Sequence, residues 1–254
     1  MTPLISPPLI CPPLIAVAHG SRDPRSAATV HELLDVVRAL RPGLDVRAAF
    51  LDLSAPRMTD VLSAVAWDGH REAVVVPLLL GSAYHAKVDV PAAARHPRLS
   101  VHIADVLGPD PRLESAALRR LAAAGVRHDD PEVGVVLAAA GSSHAPANAL
   151  VHKVARRWAR GSGWAGVTAA FAAAADPGVP AAIERLRNAG AKRIALGSWF
   201  LAPGLLPDRV ISQARSAAPD VTIAQPLGAD IDVAELVLHR YSAASMDTVG
   251  VRSA

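Results

Sequence analysis

The feature that most constrains the fold of this chain is an internal repeat with a spacing of 121 residues. The stretch Ala-His-Gly-Ser at 18–21 aligns with Ala-Ala-Gly-Ser at 139–142, and the same spacing takes Ala-Ala-Phe at 48–50 and Pro56 to Ala-Ala-Phe at 169–171 and Pro177. Because one spacing serves both blocks, duplication is the economical explanation. Residues 127–132, which include two adjacent aspartates and a proline, are the natural linker between two domains of similar size.

The repeat and the linker together predict the domain organisation. We expect an N-terminal domain at 14–126 that carries the functional residues, the linker at 127–132, and a degenerate C-terminal copy at 133–244. Residues 1–13 hold five prolines and no charged side chain, which is unlike a secretory signal. We therefore expect a flexible proline-rich tail at 1–13 and a second short tail at 245–254.

Strand-like and helix-like patterns alternate within each half. Apolar runs predict strands at 14–18, 45–51, 73–80, 100–104, 133–138, 165–171, 193–197 and 221–224. Val30, Leu33, Leu34 and Val37 form one apolar helical stripe between two of these strands. The alternation predicts an α/β fold made of two homologous doubly wound domains, each with a four-stranded parallel sheet flanked by helices.

Composition narrows the class of protein. With 254 residues, 51% of them hydrophobic, the chain can bury a large core, yet it contains no continuous apolar run long enough for a membrane span. The single cysteine, Cys11, excludes an internal disulfide and is typical of a reducing cytoplasm, where we expect this protein. Its 26 basic residues are interspersed with 23 acidic ones, which argues against nucleic acid as a partner.

Three side chains with ligand chemistry follow neighbouring strands of the first half. His19 follows the first predicted strand, Asp52 stands at the end of the second, and His85 follows the third. Because ligands of open parallel sheets bind at the carboxyl ends of the strands, we expect the three to converge. Two imidazoles and a carboxylate suit a divalent ion such as Fe²⁺, Co²⁺ or Ni²⁺, and a neutral imidazole can also accept a proton.

The second half lacks all three of these side chains. Ala140 stands opposite the first histidine, Ala173 opposite the aspartate, and Leu205 opposite the second histidine. A histidine needed only for packing would more often keep a polar or bulky counterpart. The comparison of the halves therefore favours a functional role for the first-half residues.

The sequence resembles the class II tetrapyrrole chelatases, specifically the two-domain sirohydrochlorin chelatases. The resemblance covers nearly the whole chain after residue 13. It is carried by His-Gly-Ser-Arg-Asp-Pro at 19–24, by Phe-Leu-Asp-Leu at 50–53 with Pro56, and by Pro-Leu-Leu-Leu at 77–80 followed by His85, Lys87, Asp89, Val90 and Pro91.

This resemblance implies an enzyme that inserts a divalent metal ion, Fe²⁺ or Co²⁺, into sirohydrochlorin for siroheme or cobalamin biosynthesis. The reaction would take place in a cleft between two facing domains, without ATP or an organic cofactor. His19 and His85 would hold the metal and help to remove the pyrrole protons, assisted by Asp52. The family usually has glutamate at the third position, so the carboxylate is kept here with a shorter reach.

The resemblance also implies an acidic substrate, since sirohydrochlorin carries eight carboxylates. A turn that opens a helix offers N–H donors to such groups, and arginine and lysine can pair with them. The predicted substrate-binding residues are Gly20, Ser21, Arg22, Lys87 and, from the second half, Ser142. Two further arginines, Arg25 and Arg57, flank the same loops. Because two fused halves can replace a dimer of single domains, we expect a monomer.

Two other functions remain open on the sequence alone. The chain could be a non-catalytic metal- or tetrapyrrole-binding protein, in which the degenerate half marks lost activity. It could also handle phosphate, with His19 as a phosphoryl acceptor and no dependence on His85. Trp199 could stack on a macrocycle, although a buried core tryptophan is more typical.

Overall fold

The computed structural model describes residues 11–81 and 88–251, with the side chains of the last helix described as far as residue 246. Strands and helices alternate along these residues. The first half contains β1 (Leu14–Ala18), α1 (Pro24–Leu40), β2 (Val46–Phe50), α2 (Met58–Trp67), β3 (Glu72–Pro77), α3 (Val90–Ala93), β4 (Ser100–Ile103) and α4 (Pro111–Ala123). The second half contains β5 (Val133–Ala139), α5 (Ala145–Gly161), β6 (Gly166–Phe171), α6 (Val179–Asn188), β7 (Arg193–Ser198), α7 (Leu205–Ala217), β8 (Thr222–Ile223) and α8 (Ile231–Val251).

The strands form two four-stranded sheets in the described part of the chain. Their orders are β2-β1-β3-β4 and β6-β5-β7-β8, and every neighbouring pair is parallel. The predicted fold class is therefore confirmed. The main difference lies at the third strand, which ends at Pro77 rather than at residue 80, so that Leu78, Leu79 and Leu80 leave the sheet and line a cleft.

The two sheets repeat each other in register. Val17 on β1 pairs with Pro77 on β3, and Ala138 on β5 pairs with Ser198 on β7. Each residue of the first pair is 121 positions before its counterpart in the second pair. In the last strand of each sheet, Ile103 pairs with Val75 and Ile223 pairs with Leu196. Val75 and Leu196 are 121 residues apart, whereas Ile103 and Ile223 are 120 apart. One residue is therefore missing from the second half between β7 and β8. By sequence count, the counterpart of His85 is Leu205 or Leu206, both of which are apolar.

Buried apolar side chains form three cores. One lies between the first sheet and helices α2 and α3, and another lies between the second sheet and helices α6 and α7. The largest core joins the other faces of both sheets to side chains of α1, α4, α5 and α8. The two halves therefore share one continuous apolar interior, whose burial is the main stabilising contribution.

The last helix of each half packs against the sheet of the other half. Helix α4 lies on β7, whereas α8 lies on β3 and β4 and beside α1. Two arginines hold the exchanged helices in the same way: Arg120 Nη2 donates to the carbonyl of Leu227 at 2.8 Å, and Arg240 Nε donates to that of Val106 at 2.9 Å. The packing thus crosses the predicted domain boundaries at 126 and 133.

Both ends of the folded region differ from the predicted tails. Helix α8 continues to Val251, so residues 245–251 are helical; residues 241–249 contain neither glycine nor proline to end the helix earlier. At the other end, the Tyr241 hydroxyl donates to the Pro12 carbonyl at 2.7 Å, and Val74 N donates to the Pro13 carbonyl at 2.9 Å. Residues 12–13 therefore belong to the folded part. None of the described helices combines the length and apolarity that crossing a membrane requires.

Candidate active site

A cleft of about 440 Å³ lies between the two halves, at the carboxyl ends of the strands. The first half contributes the turn at 18–22 and the leucines at 78–80. The second half contributes residues 199–207, which follow β7. The predicted cleft between two facing domains is thus present.

His19 lies at this cleft because of the turn that follows β1. The residue is exposed and lines the cleft, and its carbonyl accepts a hydrogen bond from Asp52 N at 3.0 Å. The next residue, Gly20, has φ +96°, and a Cβ there would lie 1.7 Å from the Asp52 carbonyl oxygen. Only glycine fits this approach, so the His-Gly sequence holds the histidine at the end of the paired strands.

Side-chain hydrogen bonds close the same turn. Ser54 Oγ accepts from Ser21 N at 3.0 Å and donates to the Ser21 carbonyl at 2.9 Å, and Ser21 Oγ accepts from Asp23 N at 3.0 Å. The Asp23 carboxylate in turn caps α1 by accepting from Arg25 N at 3.0 Å. The backbone N–H of Ser21 is therefore engaged within the protein, and Ser21 can donate to a ligand only through its hydroxyl hydrogen.

Asp52 lies at the same edge of the sheet as His19 but points elsewhere. Its side chain is 61% exposed and lies 3.8 Å from the guanidinium of Arg57. Among the described residues, Arg22 lines the cleft and Asp52 does not. The structure thus brings the backbones of His19 and Asp52 together without directing both side chains into the cleft.

The predicted three-ligand set extends beyond the described residues. His85 and Lys87 both lie outside them. Within residues 11–81 and 88–246, no three His, Cys, Asp or Glu side chains come close enough to hold a metal ion. The joint ligand role of His19, His85 and Asp52 therefore stays a prediction.

An ion pair joins the two halves beside the cleft. Arg25, in the first turn of α1, places Nη2 2.5 Å from Oδ2 of Asp208, in the first turn of α7. The same guanidinium also binds Asp23. The hydrogen bond from Arg25 is the main cause that lowers the pKa of the Asp23 carboxyl, and the two carboxylates raise the pKa of Arg25.

The equivalent turn of the second half is closed by a different side chain. Asn148 Oδ1 accepts from Ser142 N at 2.9 Å, and Asn148 Nδ2 donates to the Ser142 carbonyl at 2.7 Å. Asn148 thus does in the second half what Ser54 does in the first. The sequence pattern singled out neither residue. The comparison of halves could have found both, because at a spacing of 121 the counterpart of Ser54 is Ala175 and that of Asn148 is Ala27.

Ser142 lies at a second, smaller cavity that adjoins the cleft. This cavity has a volume of about 180 Å³ and is also lined by Asn148 and Phe171. Both spaces are lined by Leu79, Leu80, Ala140 and Trp199. Trp199 is only 4% exposed, so it is mainly a core residue whose surface forms part of the wall between the two spaces.

Two histidines, one on α1 and one on α5, lie beside the phenylalanine that ends the second strand of their sheet. The His31 ring packs 6.3 Å from that of Phe50, and the His152 ring packs 5.3 Å from that of Phe171, so the pair repeats at the spacing of 121. Burial lowers the pKa of His152, and Arg156 and Arg185 lower it further.

Comparison with known proteins identifies relatives of both halves. The family model CbiX matches residues 13–124 and again residues 134–244. A sirohydrochlorin cobaltochelatase of Priestia megaterium is 25% identical over 205 residues, which cover 78% of this chain and 66% of the relative. A sirohydrochlorin ferrochelatase of the same organism is 24% identical over 239 residues, covering 89% and 88%.

Solved structures share the fold. SirB from Bacillus subtilis with Fe³⁺ has a TM-score of 0.76 and 23% identity, over 93% of this chain and 96% of that one. CbiX described as the terminal enzyme for biosynthesis of siroheme in denitrifying bacteria has a TM-score of 0.64 and 21% identity, over 91% and 99%. With both of its halves matched by the family model, this chain belongs to the CbiX family.

Proposed function

We propose that this protein inserts a divalent metal ion, Fe²⁺ or Co²⁺, into sirohydrochlorin. The family match over both halves supports this function, as do the names of the two Priestia relatives, one a ferrochelatase and the other a cobaltochelatase. Imidazole and carboxylate ligands accept both metals.

The observation that carries the proposal is the asymmetry of the cleft. His19 of the first half is exposed at the cleft, whereas the equivalent position of the second half is Ala140. The second half instead supplies an apolar wall that includes Trp199, Leu205 and Pro207. Such a cleft suits a flat macrocycle with a titratable group on one side.

His19 and His85 carry the chemistry in this proposal. The macrocycle must lose two pyrrole protons as the metal enters, and a positioned imidazole accepts such a proton. A positioned base typically contributes about 10²–10⁴-fold to the rate. Asp52 has a supporting electrostatic role near the His19 backbone, because its side chain does not line the cleft. Metal ligation requires neutral imidazoles, so the rate should fall as the pH drops through the ordinary histidine pKa of about 6.5.

The direct test is anaerobic incubation of the protein with sirohydrochlorin and Fe²⁺ or Co²⁺, followed by absorbance. We expect His19→Ala to lower the rate of metal insertion by about 10²–10⁴-fold. His144→Ala is the matched control. His144 precedes α5 in the second half, and it is not among the described residues that line the cleft. A His19→Ala variant with the wild-type rate would refute the proposal.

The same assay separates the other candidate functions. Binding of sirohydrochlorin without faster metal insertion would favour a non-catalytic binding protein. Full metal insertion by His85→Ala would contradict the role proposed for the second histidine. A monomer fits the proposal, since one chain already supplies both walls of the cleft.

A further inference from the structure

We propose that Arg25 binds a peripheral carboxylate of the tetrapyrrole, and that Asp208 occupies this guanidinium while the cleft is empty. The inference rests on the proposed function and deepens it. It assigns a substrate-orienting role to a first-half arginine and a competing, positioning role to a second-half aspartate.

The first step is that Arg25 is held in place by its own turn. Arg25 Nε donates to both oxygens of the Asp23 carboxylate, at 3.0 and 3.1 Å, and Nη2 adds a third contact at 2.5 Å. The Asp23 side chain is only 12% exposed and also caps α1. The guanidinium is therefore oriented before any ligand arrives, which lowers the entropic cost of binding.

The second step is that Asp208 is held far less firmly. Its carboxylate contacts Arg25 through one oxygen at 2.5 Å, and its side chain is 50% exposed. The Arg25 side chain is itself 54% exposed, and no described residue accepts a hydrogen bond from its Nη1. A second carboxylate can approach the guanidinium through Nη1 and then displace the single bond to Asp208.

The third step is the position of this pair relative to the cleft. Residues on both sides of the pair line the cleft: Arg22 and Ser26 flank Arg25, and Pro207 precedes Asp208. The cleft walls themselves are largely apolar and suit the face of a macrocycle. The acidic arms of such a ligand project from its edge, so they arrive at the rim where Arg25 stands.

The prediction is that two substitutions change the affinity for metal-free sirohydrochlorin in opposite directions. Arg25→Gln removes the positive charge and should raise Kd about three- to fivefold, a range typical of a partly exposed ion pair. Asp208→Asn removes the internal competitor and should lower Kd by a similar factor. In the insertion assay, Arg25→Gln should raise KM and change kcat little. Kd is measured by titration of sirohydrochlorin in the absence of metal.

A second ion pair on the same helix supplies matched controls. Arg38 and Asp35 are 2.7 Å apart near the other end of α1, about 20 Å along the helix from Arg25, and Arg38 Nη2 also donates to the Val46 carbonyl at 2.8 Å. Arg38→Gln and Asp35→Asn make the same changes in net charge. Both should leave Kd unchanged.

The outcomes separate this inference from the proposed function. If Arg25→Gln and Asp208→Asn both weaken binding, the pair is only a structural clasp between the halves and the inference is wrong. It is also wrong if neither substitution changes Kd. If the wild-type protein does not bind sirohydrochlorin or does not insert metal, the proposed function itself fails.

Discussion

The substitution Gly20→Ala tests how the turn after β1 holds the site. The added Cβ would lie 1.7 Å from the Asp52 carbonyl oxygen, and the backbone carbonyl cannot rotate away as a flexible side chain could. The turn must therefore move away from the end of β2. That movement separates His19 from Asp52 and Ser21 from Ser54, which are now joined by three hydrogen bonds.

The magnitude follows from two contributions. A positive φ costs a non-glycine residue about 1–2 kcal/mol. Loss of three hydrogen bonds adds about 1 kcal/mol each, so we expect the free energy of unfolding to fall by about 4–5 kcal/mol. Gly43→Ala isolates the first contribution, because Gly43 has φ +85° and nothing lies within 4 Å of its added Cβ.

Thermal or urea unfolding checks this prediction. At about 2–4 °C per kcal/mol for a chain of this size, Gly20→Ala should lower Tm by about 8–20 °C and Gly43→Ala by only a few degrees. Gly141→Ala is a second comparison, since its Cβ would lie 1.9 Å from the Ala173 carbonyl oxygen in the half that lacks the histidine. It should destabilise about as much as Gly20→Ala but reduce metal insertion less. Equal stability of Gly20→Ala and Gly43→Ala would refute the steric reasoning.

Two further predictions concern stability. Glu114, on α4, accepts hydrogen bonds from Arg157 and from Trp158 Nε1 and is 13% exposed, so Glu114→Ala should cost about 2–3 kcal/mol in urea unfolding. Asp129→Ala, which breaks an exposed pair with Arg127, should cause no measurable change, and equal effects of the two would contradict this view. Because the folded protein lowers the pKa of His152 below its ordinary 6.5, the unfolded chain binds that proton first, and stability should fall as the pH drops below about 6.5. A urea midpoint measured from pH 8 to pH 5 should depend less on pH in His152→Leu, and an unchanged dependence would exclude His152 as a cause.

The strands and the repeat could be predicted because their signals are local. Apolar runs and glycine turns mark β1 and β5 within a few residues, and one spacing ties the halves together. The exchange of α4 and α8 could not be predicted in this way. Each helix presents an apolar stripe that fits either sheet, and only long-range packing decides which sheet it covers.

The site was partly predictable for the same reason. A histidine directly before a glycine turn at the end of a central strand must lie near the sheet edge, and His19 lies there. The direction of the Asp52 side chain depends on a rotamer and on Arg57, which strand spacing does not specify. The Arg25–Asp208 contact joins residues 183 positions apart and has no local signal.

The exchange of the terminal helices has a consequence for how the cleft can open. A swing of one half against the other about the linker would pull α4 from β7 and α8 from β3, and so expose apolar surface to water. Such a hinge motion is costly, in contrast to movement of surface loops. Entry of a large ligand must then rely on local movement at the rim of the cleft, while the frame behind it stays rigid. A protease nick at 127–132 should likewise leave the two fragments bound to each other.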